Sequence, residues 1–204
     1  MATNLAQALR LMLVTDDALL RGRDLVAIVQ AAEQGGITAV QLRLKRATAA
    51  ELARLGRSLI QAVRIPVIVN DRVDVAIAIG AHGVHLGPDD MPVAMARRIA
   101  PPGFIIGASV GLETELGNGA EADYWGIGPW ATTNTKGDAG AALGAAGFAR
   151  IRTHARLRPC IAIGGIQPDD VAAAIAAGAA GVAVVSGILG AEDIAAAARR
   201  FRWW

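Results

Sequence analysis

Three groups of polar residues in this chain have the types and spacing to handle a multiply charged anion. The run Pro129-Trp130-Ala131-Thr132-Thr133-Asn134-Thr135-Lys136 releases hydroxyls and an ammonium directly after an apolar segment that ends in Gly128-Pro129. Phosphate is the commonest anion that needs several such donors at once, so Thr133, Thr135 and Lys136 read as a phosphate or pyrophosphate cradle. A second group, Gln41, Arg43 and Lys45, alternates with Val40, Leu42 and Leu44, which puts all three polar side chains on one face of an extended strand. Together with Lys136, Arg43 and Lys45 bring three cations to one place, enough for a diphosphate and for the charge it carries as a leaving group. The third group is acidic: Asn70-Asp71 and Asp89-Asp90 each follow a short apolar run. Asp71 and Asp90 could share a magnesium ion, which takes few protein ligands and fills its sphere with phosphate oxygens and water. Read singly, these carboxylates fit solvated loop starts or helix caps better than a metal site.

These residues need a scaffold that gathers them, and the periodicity supplies one. Strands are predicted at Leu11–Thr15, Ala39–Leu44, Ile65–Val69, Gly83–Leu86, Phe104–Val110, Tyr124–Gly128, Arg158–Ile163 and Gly181–Val185. Between them lie helices, among them Asp24–Gln34, a segment from Thr48 to about Val63 opened by a Thr48/Glu51 capping pair, Val93–Ala100, Asp169–Ala177 and Glu192–Phe201, with a weak one over Leu112–Ala120 that Gly117 and Gly119 interrupt. Strand and helix repeat about every 20 to 25 residues, as a compact (β/α)8 TIM barrel requires. A doubly wound open sheet is the competitor. Polar residues end the second to eighth strands, and a closed barrel brings that many exits to one mouth. Gly164-Gly165 and Val185-Ser186 end the last two strands, where such barrels hold phosphate with loop amides, glycine allowing close backbone approach.

Composition narrows the rest. The 204 residues, 53% of them hydrophobic and 24 of them glycine, fit one domain spanning 1–204. Twenty basic against 18 acidic residues leave a net charge of +2, too dispersed for a nucleic-acid stripe. No leader pattern or uncharged apolar run of about 18 residues is present, so no membrane span is expected and a cytoplasmic location is the default. The single Cys160 lies in an apolar run and reads as a packing residue. His82 and His85 flank Gly83 without an acidic or cysteine partner at ligand spacing, and read as packing or backbone-bonding residues. Trp203 and Trp204, after Arg199, Arg200 and Arg202, fit either a fold-back onto the barrel or a subunit contact.

With these residues in place the chain resembles the thiamine phosphate synthase family, in the superfamily that also holds the thiazole tautomerases. The likeness runs from about Ala39 to Ile188 and is carried by Gln41-Leu-Arg-Leu-Lys45, Val69-Asn-Asp71, Gly83-Val-His-Leu-Gly87 with Asp90, Ile106-Gly-Ala-Ser109, Gly126-Ile-Gly-Pro129 with Thr133-Asn-Thr-Lys136, Ala162-Ile-Gly-Gly-Ile166 and Val184-Val-Ser186. The resemblance implies a transferase that joins hydroxymethylpyrimidine diphosphate to thiazole phosphate, releasing pyrophosphate, with Mg2+ as cofactor. It implies that Gln41, Arg43, Lys45, Asn70, Ser109 and Lys136 hold the pyrimidine diphosphate and that Asp71 and Asp90 bind the metal. By the same likeness Thr133, Thr135, Gly165, Val185 and Ser186 hold the thiazole phosphate, with Ser109, Lys136, Arg43 and Lys45 acting on the departing group. A homodimer is expected from the resemblance alone. Two positions depart from the wider pattern: Leu44 stands where many relatives carry an acidic residue, and Gly111 where the tautomerase branch carries a proton-transferring histidine.

Overall fold

The computed structural model describes residues 5–132 and 140–204. Eight parallel strands close into a barrel in chain order: β1 (Leu11–Val14), β2 (Ala39–Leu42), β3 (Val67–Asn70), β4 (Gly83–Leu86), β5 (Ile105–Ser109), β6 (Tyr124–Ile127), β7 (Cys160–Ile163) and β8 (Gly181–Val184). Closure comes from β8 against β1, with Leu11 opposite Val182 and Leu13 opposite Val184. The expected (β/α)8 barrel is therefore the observed fold.

Nearly every strand residue is buried, yet the period of two survives as a division between two cores. Met12 and Val14 of β1, Ala39 of β2, Ile68 of β3, Tyr124 of β6, Ile161 of β7 and Ala183 of β8 fill the barrel interior. Their neighbours Leu13, Val40, Val69, Trp125, Ala162 and Val184 face outward into the layer beneath the helices. Leu44 packs into that outer layer, so its departure from the acidic residue of many relatives leaves the inward polar set unchanged.

Helix ends follow local chemistry. Asp24 opens the helix Leu25–Gly35, its carboxylate accepting from the amides of Val26 and Ala27, and Gly36 closes it at φ 104°. Thr48 caps Ala49–Ala62 by accepting from the Glu51 amide at 3.2 Å. The weak helix over Leu112–Ala120 is two 3-10 turns, Glu113–Glu115 and Asn118–Glu121, because its glycines do not sustain a longer run. Three short helices go beyond the sequence expectation: Leu5–Ala8, Asp17–Leu20 and Ser186–Leu189. Each is four residues long, too short for a periodic pattern to mark.

Cys160 is buried as expected, and burial pushes its thiol up to about 12. His82 accepts the Val67 amide on Nδ1 at 3.1 Å, the backbone role expected of it, and burial lowers its pKa. The terminal tryptophans fold back: the Arg10 guanidinium lies 5.9 Å from the Trp203 ring centre and 5.6 Å from that of Trp204.

Candidate active site at the C-terminal mouth

The exits of the first four strands form a braced polar arc. Thr15, fully buried just past β1, accepts from the Arg43 amide at 2.8 Å and donates to the Arg43 carbonyl at 3.0 Å. Asp16 then pairs with the Arg43 guanidinium at 3.0 Å while capping the next short helix, and Asp17 accepts from the Lys45 amide at 2.7 Å. Arg43 and Lys45 leave the strand before the mouth, and the loop after β1 fixes their backbone. Thr15→Val keeps the volume but strands both backbone groups of Arg43, so we expect a loss of about 1–3 kcal/mol in urea unfolding.

From that braced loop Lys45 reaches across to β3. Its Nζ lies 2.5 Å from Asp71 Oδ2. Asp71 stands at φ 63°, a left-handed conformation that aspartate tolerates better than most residues, and its amide donates to the His85 carbonyl at 2.9 Å. Asp90 is brought in by its own turn, accepting the Gly87 amide at 2.7 Å. Burial, then the Asp71 carboxyl within hydrogen-bonding reach, raise the Asp90 pKa from its ordinary value. Two carboxylates forced together on one side of a lysine are an oxygen donor pair that a hard divalent cation would relieve. Among the described residues no cluster of three or more His, Cys, Asp or Glu is available as a fuller cage. The pair therefore suits magnesium, which takes one or two carboxylates and leaves its remaining positions to water and phosphate.

Inside the barrel beneath this arc lies a second polar group. Gln41, 3% exposed, points inward from β2 with its Nε2 3.9 Å from Met12 Sδ, and its amide favours the ionised form of the nearby Tyr124 phenol. Tyr124 Oη lies 2.9 Å from His85 Nδ1, and His85 Nε2 lies 3.0 Å from Ser109 Oγ at the end of β5. His85 is thus a bridge between two hydroxyls in the barrel interior, which corrects its reading as a packing or backbone-bonding residue. The half-buried Asn70 ends β3 beside it, in register with His85.

The opposite side of the mouth is built from backbone. Gly164 and Gly165 follow β7 at φ 90° and 73°, and a Cβ on Gly165 would lie 2.8 Å from the Ala131 carbonyl oxygen. The loop after β6 is pressed against them, Trp130 N donating to Ile163 O at 2.8 Å and Ala131 N to Gly164 O at 2.9 Å. Val185 precedes the short helix Ser186–Leu189, whose first-turn amides have no carbonyl within the helix to bond. A glycine turn after the seventh strand and a short extra helix after the eighth are the parts from which such barrels build a phosphate site. Thr133, Thr135 and Lys136 lie outside the described residues.

Of the sequence-predicted residues, Lys45, Asp71 and Asp90 meet in one cluster, Gln41 turns into the barrel interior, and Ser109 is bonded to His85 there. Arg43 sits beside Asp16, while Gly165, Val185 and Ser186 belong to the β7–β8 side. Sequence reasoning missed Thr15, Asp16, Asp17 and Tyr124. Thr15-Asp16-Asp17 follow β1 just as Asn70-Asp71 close β3, so the same rule applied to the first strand would have found them. Tyr124 is the chain's one tyrosine, and a buried phenol needs a partner.

Residues 11–188 match the family model for thiamine monophosphate synthase. The chain is 49% identical over 199 residues to a thiamine-phosphate synthase from Azorhizobium caulinodans, covering 95% of this chain and 93% of that one. It is 46% identical over 187 residues to a thiamine-phosphate synthase from Moorella thermoacetica, covering 89% and 88% of the two chains. A solved thiamine phosphate pyrophosphorylase from Pyrococcus furiosus superposes with a TM-score of 0.86 at 38% identity, over 97% of this chain and 96% of the other.

Proposed function

Because this chain belongs to the thiamine monophosphate synthase family, we propose that it joins hydroxymethylpyrimidine diphosphate to thiazole phosphate, giving thiamine phosphate and pyrophosphate. The observation that carries the reading is the meeting of Lys45, Asp71 and Asp90 at neighbouring strand exits. That is what a diphosphate leaving group demands: a cation, and a place for a divalent metal.

In this reading Gln41, Arg43, Lys45, Asn70 and Ser109 hold the pyrimidine diphosphate, joined by Lys136. Asp71 and Asp90 would hold Mg2+, which when bound supplies charge stabilisation to the phosphate oxygens. Gly165, Val185 and Ser186, with Thr133 and Thr135, hold the thiazole phosphate on the β7–β8 side. The bond from the pyrimidine methylene to the diphosphate oxygen breaks, and the thiazole nitrogen supplies the pair for the new carbon–nitrogen bond. An aminopyrimidine can carry positive charge on that methylene, so no nucleophilic side chain is required. Arg43, Lys45 and Ser109 offset the charge that grows on the leaving oxygen, while the phosphate cradle keeps the thiazole in line. The cysteine does not compete for this role, since Cys160 is buried with its thiol pushed up to about 12.

The tautomerase alternative lacks its proton-transfer group. At Gly111 even a Cβ would lie 2.6 Å from the Gly128 carbonyl oxygen, so this backbone has no space for the histidine that branch places there. Among the described residues no helix is long and apolar enough to cross a membrane. Cytoplasmic residence and a homodimeric state complete the reading as family-level expectations.

The test is direct: purified protein with both phosphorylated substrates and magnesium should release thiamine phosphate and pyrophosphate in equal amounts. Absence of thiamine phosphate, with each substrate still bound, would convert the reading to that of a silent binding protein.

A further inference from the structure

Tyr124, His85 and Ser109 form one continuous hydrogen-bonded file through the barrel interior, and substitution chemistry alone asks only for the last of them. Tyr124 is fully buried and His85 is 5% exposed. The barrel wall is cut to admit their rings. A Cβ on Gly107 would lie 2.2 Å from Tyr124 Cζ, and one on Gly126 would lie 3.2 Å from His85 Cε1.

The file has a direction. Gln41 Nε2 faces Met12 Sδ at 3.9 Å, which turns the N–H end of the amide toward the barrel interior. The same amide lies near enough to the Tyr124 phenol to favour the ionised form. Burial outweighs that effect and pushes the phenol well above its ordinary value, so Tyr124 keeps its hydrogen at neutral pH. The phenol keeps one hydrogen, and it goes to the ring nitrogen that Tyr124 Oη faces, His85 Nδ1, 2.9 Å away. Nδ1 is then the bare nitrogen, and Nε2 carries the hydrogen that it donates to Ser109 Oγ. The Ser109 hydroxyl hydrogen is left to point out of the file, toward the mouth.

We propose that Tyr124 and His85 are positioning residues that hold Ser109 as a hydrogen-bond donor to the oxygen that departs with the diphosphate. The inference rests on the reading of Ser109 as a contact of that leaving group. Because each member donates into the next, negative charge growing on the departing oxygen strengthens the whole file. The gain is largest in the transition state, so it belongs to kcat rather than to KM.

Tyr124→Phe removes the hydroxyl and keeps the ring. Its kcat should fall about tenfold while KM for the pyrimidine diphosphate stays within about twofold. In a Ser109→Ala background the same substitution should change kcat by less than about twofold, since its effect runs through the serine. A full tenfold loss persisting without Ser109 would overturn the proposal. His85→Gln, whose amide can accept from Tyr124 and donate to Ser109, should retain several-fold more activity than His85→Leu, and equal losses would count against the file. Nitrogen-15 NMR of the unmodified protein reads the direction without turnover: His85 should be the Nε2–H tautomer, and the Nδ1–H form would overturn the assignment. If no thiamine phosphate forms at all, the reading of the reaction fails, and the direction of the file is still decided by that tautomer.

Discussion

Asp71→Asn should lower turnover by about a hundredfold or more while the melting temperature moves by no more than about 4 °C. The separation of the two effects follows from where Asp71 stands. Its side chain is 22% exposed, and its partner Lys45 is 51% exposed, so breaking the 2.5 Å contact removes a solvent-screened pair of small net worth. Its backbone sits at φ 63°, where asparagine is among the best-tolerated residues and alanine would add strain of about 1–2 kcal/mol. Asparagine therefore preserves the turn and the shape and removes the charge that a divalent metal would need. The neighbouring Asp90, whose pKa is raised by burial and then by Asp71, loses its repulsive partner and gains a neutral one. Asp71→Asn should still bind the pyrimidine diphosphate through Arg43 and Lys45, but with weakened magnesium dependence. Steady-state rates across a magnesium titration, beside a thermal melt, measure both halves. An unchanged rate would remove Asp71 from the metal site.

The barrel and its mouth were legible in the sequence for a reason that the strands make plain. Gln41, Arg43 and Lys45 alternate with Val40, Leu42 and Leu44, and that alternation persists even where the strand itself stops at Leu42. Strand exits marked by Asn70-Asp71, Asp90, Ser109, Gly164-Gly165 and Val185-Ser186 were each visible as a polar or glycine break after an apolar run. The braces were less visible, because bracing is a relation between exits. Thr15 matters through two hydrogen bonds to Arg43, 28 residues away, and no local pattern in either segment records the other. His85 illustrates the same limit. Its partners Tyr124 and Ser109 lie 39 and 24 residues on, so local spacing carries no sign of them and points only to packing or a backbone bond. The short helix Ser186–Leu189 was hidden by length, although the phosphate-site residues at its start were marked by their place after the eighth strand.

Gly107→Ala is expected to be strongly damaging in the barrel interior, and the reason is the ring that Gly107 admits. The added Cβ would fall 2.2 Å from Tyr124 Cζ, 2.4 Å from Cε1 and 2.5 Å from the phenol oxygen. None of these atoms is the loose end of a flexible chain. Tyr124 is fully buried, its oxygen is tied to His85 at 2.9 Å, and its ring shares the barrel interior with Met12, Val14, Ile68 and Ile161. The ring must shift as a body, which breaks the bond to His85 and overpacks a closed layer. Overpacking of this kind costs about 1–3 kcal/mol, and an unpaired buried phenol adds about 1–3 kcal/mol. For a chain of this length the melting temperature should fall by about 5–15 °C. Activity should fall further than the folded fraction does, since Ser109 loses the support of His85 along with it. Tyr124→Leu alone should also destabilise, through the space its ring leaves. In combination with Gly107→Ala the methyl occupies part of that space, so the double variant should melt above the sum of the two single losses. Strict additivity would show that the ring and the glycine do not compete for the same volume. The activity of the double variant should stay low even as its stability recovers, because leucine restores the packing and not the hydrogen bond to His85.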